Sequence, residues 1–197
     1  MDILKILYID DSPEPALSKF LDSYRNDICE FNYSDIIFNP NEGYERLINN
    51  PEVKTANIIF IDSKLFENRN AVTGKFTGEE FKIILKKYFP FIEVIVVTQN
   101  DVAEGYETIS KYDSKSMQTA GDYYGEKIPP LLERAVRNIF EFRKIACEMK
   151  KNTRWEKVMI EKIINSINGQ GTFDELTKND IDKVIEMFQE LQEKIDG

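Results

Sequence analysis

Residues 6–11 read Ile-Leu-Tyr-Ile-Asp-Asp. An apolar run, Ile6 to Ile9, ends directly on two adjacent carboxylates, Asp10 and Asp11. The run predicts a buried strand from Leu4 to Ile9. Neighbouring carboxylates repel, so a strand that ends on them faces a cation, a helix N-terminus or solvent.

The same pattern recurs downstream. Strands are expected at Glu30 to Phe38, Ala56 to Ile61 and Glu93 to Thr98, the first of these weaker than the others. NIIFID and VIVVT are almost continuously apolar, as in strands covered on both faces inside a parallel sheet. Helices are expected between them, at Pro13 to Tyr24, Asn41 to Asn49 and Gly78 to Tyr88, the last opened by a capping box, Thr77-Gly-Glu-Glu80. Strand–helix alternation predicts a doubly wound α/β domain.

Composition narrows the function. The chain has 197 residues, a net charge of −9 and no histidine. Such acidity repels nucleic-acid phosphates. The missing histidine removes imidazole catalysis, imidazole metal ligation and a phospho-histidine role. The cysteines, Cys29 and Cys147, form no CxxC pair and read as structural thiols of a reducing cytoplasm. No signal peptide or membrane-spanning run is expected.

From about Pro129 the pattern turns helical. Two prolines suit a first helical turn. Ala135, Ile139, Phe142, Ala146 and Met149 then form an apolar stripe, and Trp155, Met159, Ile163 and Ile167 continue it after a polar break. Beyond a turn at 168–171, Ile181, Val184, Phe188, Leu191 and Ile195 make a narrow seam. Residues 146–197 are therefore expected to form a helical hairpin appended to a domain at 1–145. The seam needs a covering helix, either the Trp155 to Ile167 stretch or a second chain; the expectation is a homodimer in which the long helix takes part.

Ligands of doubly wound sheets bind beyond the carboxyl ends of the strands. Asp10 and Asp11 end the first strand, Asp62 the third and Thr98 the fourth. Carboxylates gathered on one rim need a counter-charge, and Mg²⁺ suits a few carboxylates plus waters. A carboxylate beside such a metal is also a nucleophile toward phosphorus.

Asp-Asp, Asp, Thr and Lys on successive strands resemble the receiver domain of two-component response regulators, over roughly residues 1 to 145. The resemblance implies a five-stranded parallel sheet of flavodoxin-like type and a phosphorylation-switched signalling protein, not an enzyme in its own right. Asp62 would be the phosphoacceptor. Asp11, Asp62 and the backbone carbonyl of Lys64 would ligate Mg²⁺, and Asp10 would hold a metal-bound water. Thr98 would read the phosphoryl group. Upstream would stand a histidine kinase or phosphotransfer protein, and downstream a protein partner or the helical tail.

The lysine of that set has two candidates. Lys111 ends a β-branched stretch, Thr108-Ile109, and needs a fourth helix of about one turn. Lys127 follows Tyr124 by three residues, the spacing at which the family places a switch aromatic. Lys111 is the favoured assignment, with residues 106 to 111 as the fifth strand. The chain departs from the family in lacking a proline shortly after Asp62, and in an apparent insertion from Phe66 to Thr77. The alternative is a degenerate receiver-fold interaction module that is not phosphorylated. A haloacid-dehalogenase-like phosphatase requires Asp-x-Asp, whereas these carboxylates are adjacent. The basic run Lys144, Lys150, Lys151 and Arg154 reads as a solvated helix face.

Overall fold

The computed structural model of the chain describes residues 2–39, 42–66, 77–99, 107–151 and 157–169. Along them run β1 (Ile3–Asp10), α1 (Pro15–Ser23), β2 (Glu30–Ile37), α2 (Tyr44–Asn49), α3 (Pro51–Thr55) and β3 (Ile58–Asp62). They continue with α4 (Gly78–Tyr88), β4 (Glu93–Thr98), β5 (Thr108–Ser110), α5 (Ala120–Lys151) and α6 (Lys157–Ile167). The strands form one parallel sheet in the order β2-β1-β3-β4-β5. This is the flavodoxin-like order, whose switch point lies between β1 and β3.

The apolar runs explain which strands are central. Every residue of β3 and β4 is buried, while β2, at an edge, alternates between exposed and half-buried. Alternation along the strands splits the core in two. Leu4, Ile6, Tyr8, Phe60, Ile95 and Val97 pack with α1 and α5 on one face. Leu7, Ile9, Ile59, Ile61, Val94 and Val96 pack with α2, α3 and α4 on the other.

Several boundaries differ from expectation. Ala56 caps α3, so β3 begins at Ile58. The second helical stretch divides at Asn50, whose side chain accepts the Glu52 N–H, and Pro51 starts α3. Helix α4 spans the expected residues, and its Thr77/Glu80 capping box is formed. Phe66, placed by the sequence in an insertion, is a core residue whose ring centroid lies 5.2 Å from that of Phe38 and 4.8 Å from that of Phe81. Residues 67–76, the rest of that insertion, lie outside the described residues, as do 100–106, where the shortened fourth helix was expected.

The last helix of the domain starts at Ala120, not at Pro129. Its first turn is fixed by Thr119, whose hydroxyl donates to Asp122 Oδ2 at 2.7 Å and accepts the Asp122 N–H at 3.2 Å. Pro129 and Pro130 thus lie inside a helix, where each removes the hydrogen bond to the carbonyl four residues back. Those carbonyls belong to Gly125 and Glu126, both exposed residues, where solvent can supply the donors that proline lacks. Residues 145 and 146 both fall within α5.

Helix α6 packs against α5 with Ile167 buried, as the stripe implies, and with Ile160 buried in place of Met159, which is 48% exposed. Past α6, Gly169 adopts φ +70° and sits so close to α3 that a Cβ would lie 2.9 Å from the Thr55 carbonyl oxygen. The end of α6 thus lies by the amino end of β1, where Ile164, Ile167 and Asn168 line one pocket with Asp2 and Ile3. Trp155 and the seam from Ile181 to Ile195 lie outside the described residues. No described helix is long and apolar enough to cross a membrane.

Candidate functional site

β1, β3, β4 and β5 bring their carboxyl ends to one rim, and each delivers a polar side chain there. Asp10, the last residue of β1, is fully buried. Its Oδ1 accepts the Ser12 N–H at 2.8 Å, a local turn that ends the strand. Its Oδ2 accepts the Tyr8 hydroxyl at 2.5 Å. Asp62, the last residue of β3, is also buried, and its Oδ2 accepts the Lys64 N–H at 2.8 Å.

Lys111 follows β5 directly. Thr98 pairs with Ser110, and the Lys111 N–H extends the ladder by donating to the Thr98 carbonyl at 2.6 Å. Its ammonium then reaches inward, 2.8 Å from Asp10 Oδ2 and 2.8 Å from Asp62 Oδ1. Lys127, the other lysine the sequence offered, is an exposed residue of α5 paired with Glu126 at 3.0 Å.

Asp11 is exposed, yet its carboxylate lies with those of Asp10 and Asp62 in one cluster, ligand atoms within 4.8 Å of one another. Charge governs these groups. Burial alone would raise Asp10, but hydrogen bonds from Lys111, Tyr8 and the Ser12 N–H outweigh it and hold the carboxyl below the usual range. Burial would likewise lower Lys111, and its hydrogen bonds to Asp10 and Asp62 raise it instead. Asp11 is pushed up by partial burial, by a carboxyl–carboxyl hydrogen bond with Asp10, and by the charges of Asp10 and Asp62. Among the described residues, the Lys111 ammonium pairs with two of these three carboxylates, Asp10 and Asp62.

That donor set fits a hard divalent cation: all oxygen, and short of positive charge. Asp10 and Asp62 each have donors on both oxygens, and Asp11, exposed at the rim, is the carboxylate of the cluster most open to an ion. Lys64 is exposed in the turn after β3.

Thr98 is buried at the end of β4, and its hydroxyl oxygen accepts a hydrogen bond from Ser63 Oγ at 3.0 Å. Ser63 is in turn anchored by its N–H, which donates to the Val97 carbonyl at 2.7 Å. A pair of bonded hydroxyls thus stands where β3 and β4 end.

Sequence reasoning overlooked Ser63, Tyr8, Glu14 and the place of Tyr124. The Tyr8 hydroxyl also accepts the Glu14 N–H at 3.4 Å. Glu14 Oε2 accepts the Tyr124 hydroxyl at 2.6 Å, and that hydroxyl accepts the Tyr112 N–H at 3.0 Å. Burial keeps the Tyr8 and Tyr124 phenols far above their ordinary value, so both remain donors. A signal for Tyr8 was present: residues two apart on a strand share a side, and a buried tyrosine needs a partner for its hydroxyl.

The sheet and its cluster of Asp10, Asp11 and Asp62 are compatible with a receiver domain. In comparisons with known proteins, no family model, curated protein or solved structure matches the chain.

Proposed function

We propose that the chain is a phosphorylation-switched signalling protein with Asp62 as the phosphoacceptor. The observation that supports this best is the Lys111 ammonium, 2.8 Å from both Asp10 and Asp62 at the carboxyl rim of the sheet. An Asp62 carboxylate oxygen attacks the phosphorus of a donor. The bond from phosphorus to the leaving group breaks, the leaving group keeps the electron pair, and an aspartyl-phosphate remains.

The product brings close to two further negative charges into an acidic pocket. Lys111 offsets them from one side as a flexible point charge. Thr98, by turning its hydroxyl from Ser63, donates to a phosphoryl oxygen. Asp11, Asp62 and the Lys64 carbonyl would hold Mg²⁺, with Asp10 on a metal-bound water; the ion supplies charge neutralisation to the phosphoryl oxygens. In this reading the chain turns over nothing but its own phosphoryl group. A histidine kinase or phosphotransfer protein loads it, and a protein partner or the helices α5 and α6 receive the change.

Intact-mass measurement after incubation with Mg²⁺ and phosphoramidate tests the reading. The expected result is a single phosphoryl adduct that Asp62→Asn abolishes. A wild-type protein that takes up neither a phosphoryl group nor beryllofluoride favours instead an interaction module that keeps the fold without the chemistry.

A further inference from the structure

Asp10 is a fully buried carboxylate that, besides the Asp11 carboxyl, has three donors: the Ser12 N–H on Oδ1, and the Tyr8 hydroxyl and Lys111 ammonium together on Oδ2. Two of the three are fixed by the backbone or by the core. The third, Lys111, is also bonded to Asp62 and is carried on a flexible four-carbon stem. A phosphoryl group on Asp62 would draw that ammonium toward itself. Asp10 Oδ2 would then keep only the Tyr8 hydroxyl of its two donors, and without that hydroxyl a buried charged oxygen would be left unpaired, which is costly.

Tyr8 is the group that prevents this. Its ring is fully buried between Asp10 and the apolar face shared with α1 and α5. Its hydroxyl accepts the Glu14 N–H, which directs its single proton to Asp10. We propose that Tyr8 is a positioning residue: it holds Asp10 Oδ2 by a hydrogen bond, so that Lys111 is released to follow the phosphoryl group onto Asp62. The inference rests on the phosphoacceptor reading of Asp62. It assigns to a strand tyrosine a part in the reaction that its apolar surroundings conceal.

The test is the rate of phosphoryl uptake from phosphoramidate with Mg²⁺, read by intact mass, for the full-length wild type, Tyr8→Phe, Asp10→Asn and the double variant. Phenylalanine keeps the packing and removes only the hydroxyl. Without it Asp10 retains Lys111, and uptake slows by about tenfold or more, the loss of one hydrogen bond to a charged group. In the Asp10→Asn background, with no charge to satisfy, Tyr8→Phe changes the rate by less than about twofold, a dependence that a purely structural hydroxyl would not show. Equal rates for wild type and Tyr8→Phe, or the same loss in both backgrounds, overturn the proposal. If Tyr8→Phe fails to fold cooperatively, Tyr8→Met is measured in its place with the same expected and opposing outcomes. An unreactive wild type overturns the phosphoacceptor reading itself, and this inference with it, which separates the two failures.

Discussion

Gly78 presses on the backbone of Asp62: a Cβ there would lie 2.7 Å from the Asp62 carbonyl oxygen and 2.7 Å from Ser63 Cα. The Gly78 N–H donates to the Ser63 carbonyl at 2.7 Å, so the first turn of α4 is seated on the chain that carries the acidic site. In an ordinary helix Gly→Ala gains about 1 kcal/mol. Here the contact is backbone to backbone and nothing flexible can yield. Gly78→Ala should therefore destabilise the fold by about 1–3 kcal/mol. Urea unfolding checks this, and a midpoint equal to or above wild type refutes it.

Lys111 bridges two buried carboxylates, and its own side chain is only 15% exposed. Removing one partner of a buried ion pair leaves an uncompensated charge, so Lys111→Met should cost about 3–5 kcal/mol at neutral pH. The same variant gives an incoming cation no competitor. Mg²⁺ should raise the melting temperature of Lys111→Met more than that of wild type. An equal or smaller Mg²⁺ shift in the variant counts against a cation site in this cluster.

Glu93 opens β4 with its side chain buried, 3.4 Å from the Lys86 ammonium. Burial raises its carboxyl above the usual glutamate value; Lys86 opposes this and Glu107 adds to it. A raised acid contributes stability below its unfolded value and loses it as pH rises through the folded one. Glu93→Gln removes that loss. The stability of the variant relative to wild type should therefore be greater at about pH 7.5 than at about pH 3, on either side of the ordinary glutamate range. Paired urea titrations at the two pH values measure it, and a difference independent of pH disproves the linkage.

The Tyr124 hydroxyl serves two groups, donating to Glu14 and accepting from the Tyr112 N–H. Tyr124→Phe leaves both without that partner and should cost about 1–3 kcal/mol. Amide hydrogen exchange at Tyr112 should quicken more than at Ile109, inside β5. Uniform quickening would mean a global loss of stability instead.

The sheet was legible because its signal is local. β4 spans the expected residues, and Ile58–Asp62 is buried throughout, as its apolar run implied. The start of α5 was not legible from the stripe alone, since Pro129-Pro130 mimics a first turn. The true signal was Thr119 with Asp122 three residues on, a polar cap that marks a start only when a helix continues beyond it. In α6 the stripe holds at Ile167 but not at Met159, because Met159 and Ile160 are adjacent apolar residues, and only contact with α5 decides which one is buried. At the rim, the aspartates were visible because each ends an apolar run. Tyr8 was hidden for the opposite reason: inside such a run an aromatic residue looks like packing, and its hydroxyl finds a role only once Asp10 and Glu14 are beside it.

The proline pair in α5 has a mechanical consequence. Two successive rungs are missing where residues 120–128 join the rest of the helix, so the helix is more compliant there than along the remainder of its length. The short upper arm carries Tyr123 and Tyr124, bonded to Ser110 and Glu14 near the rim, while the long lower arm carries Arg143, tied to Asp2 at the opposite end of the sheet. A displacement imposed at the rim should therefore bend the helix at the prolines before it shifts α6.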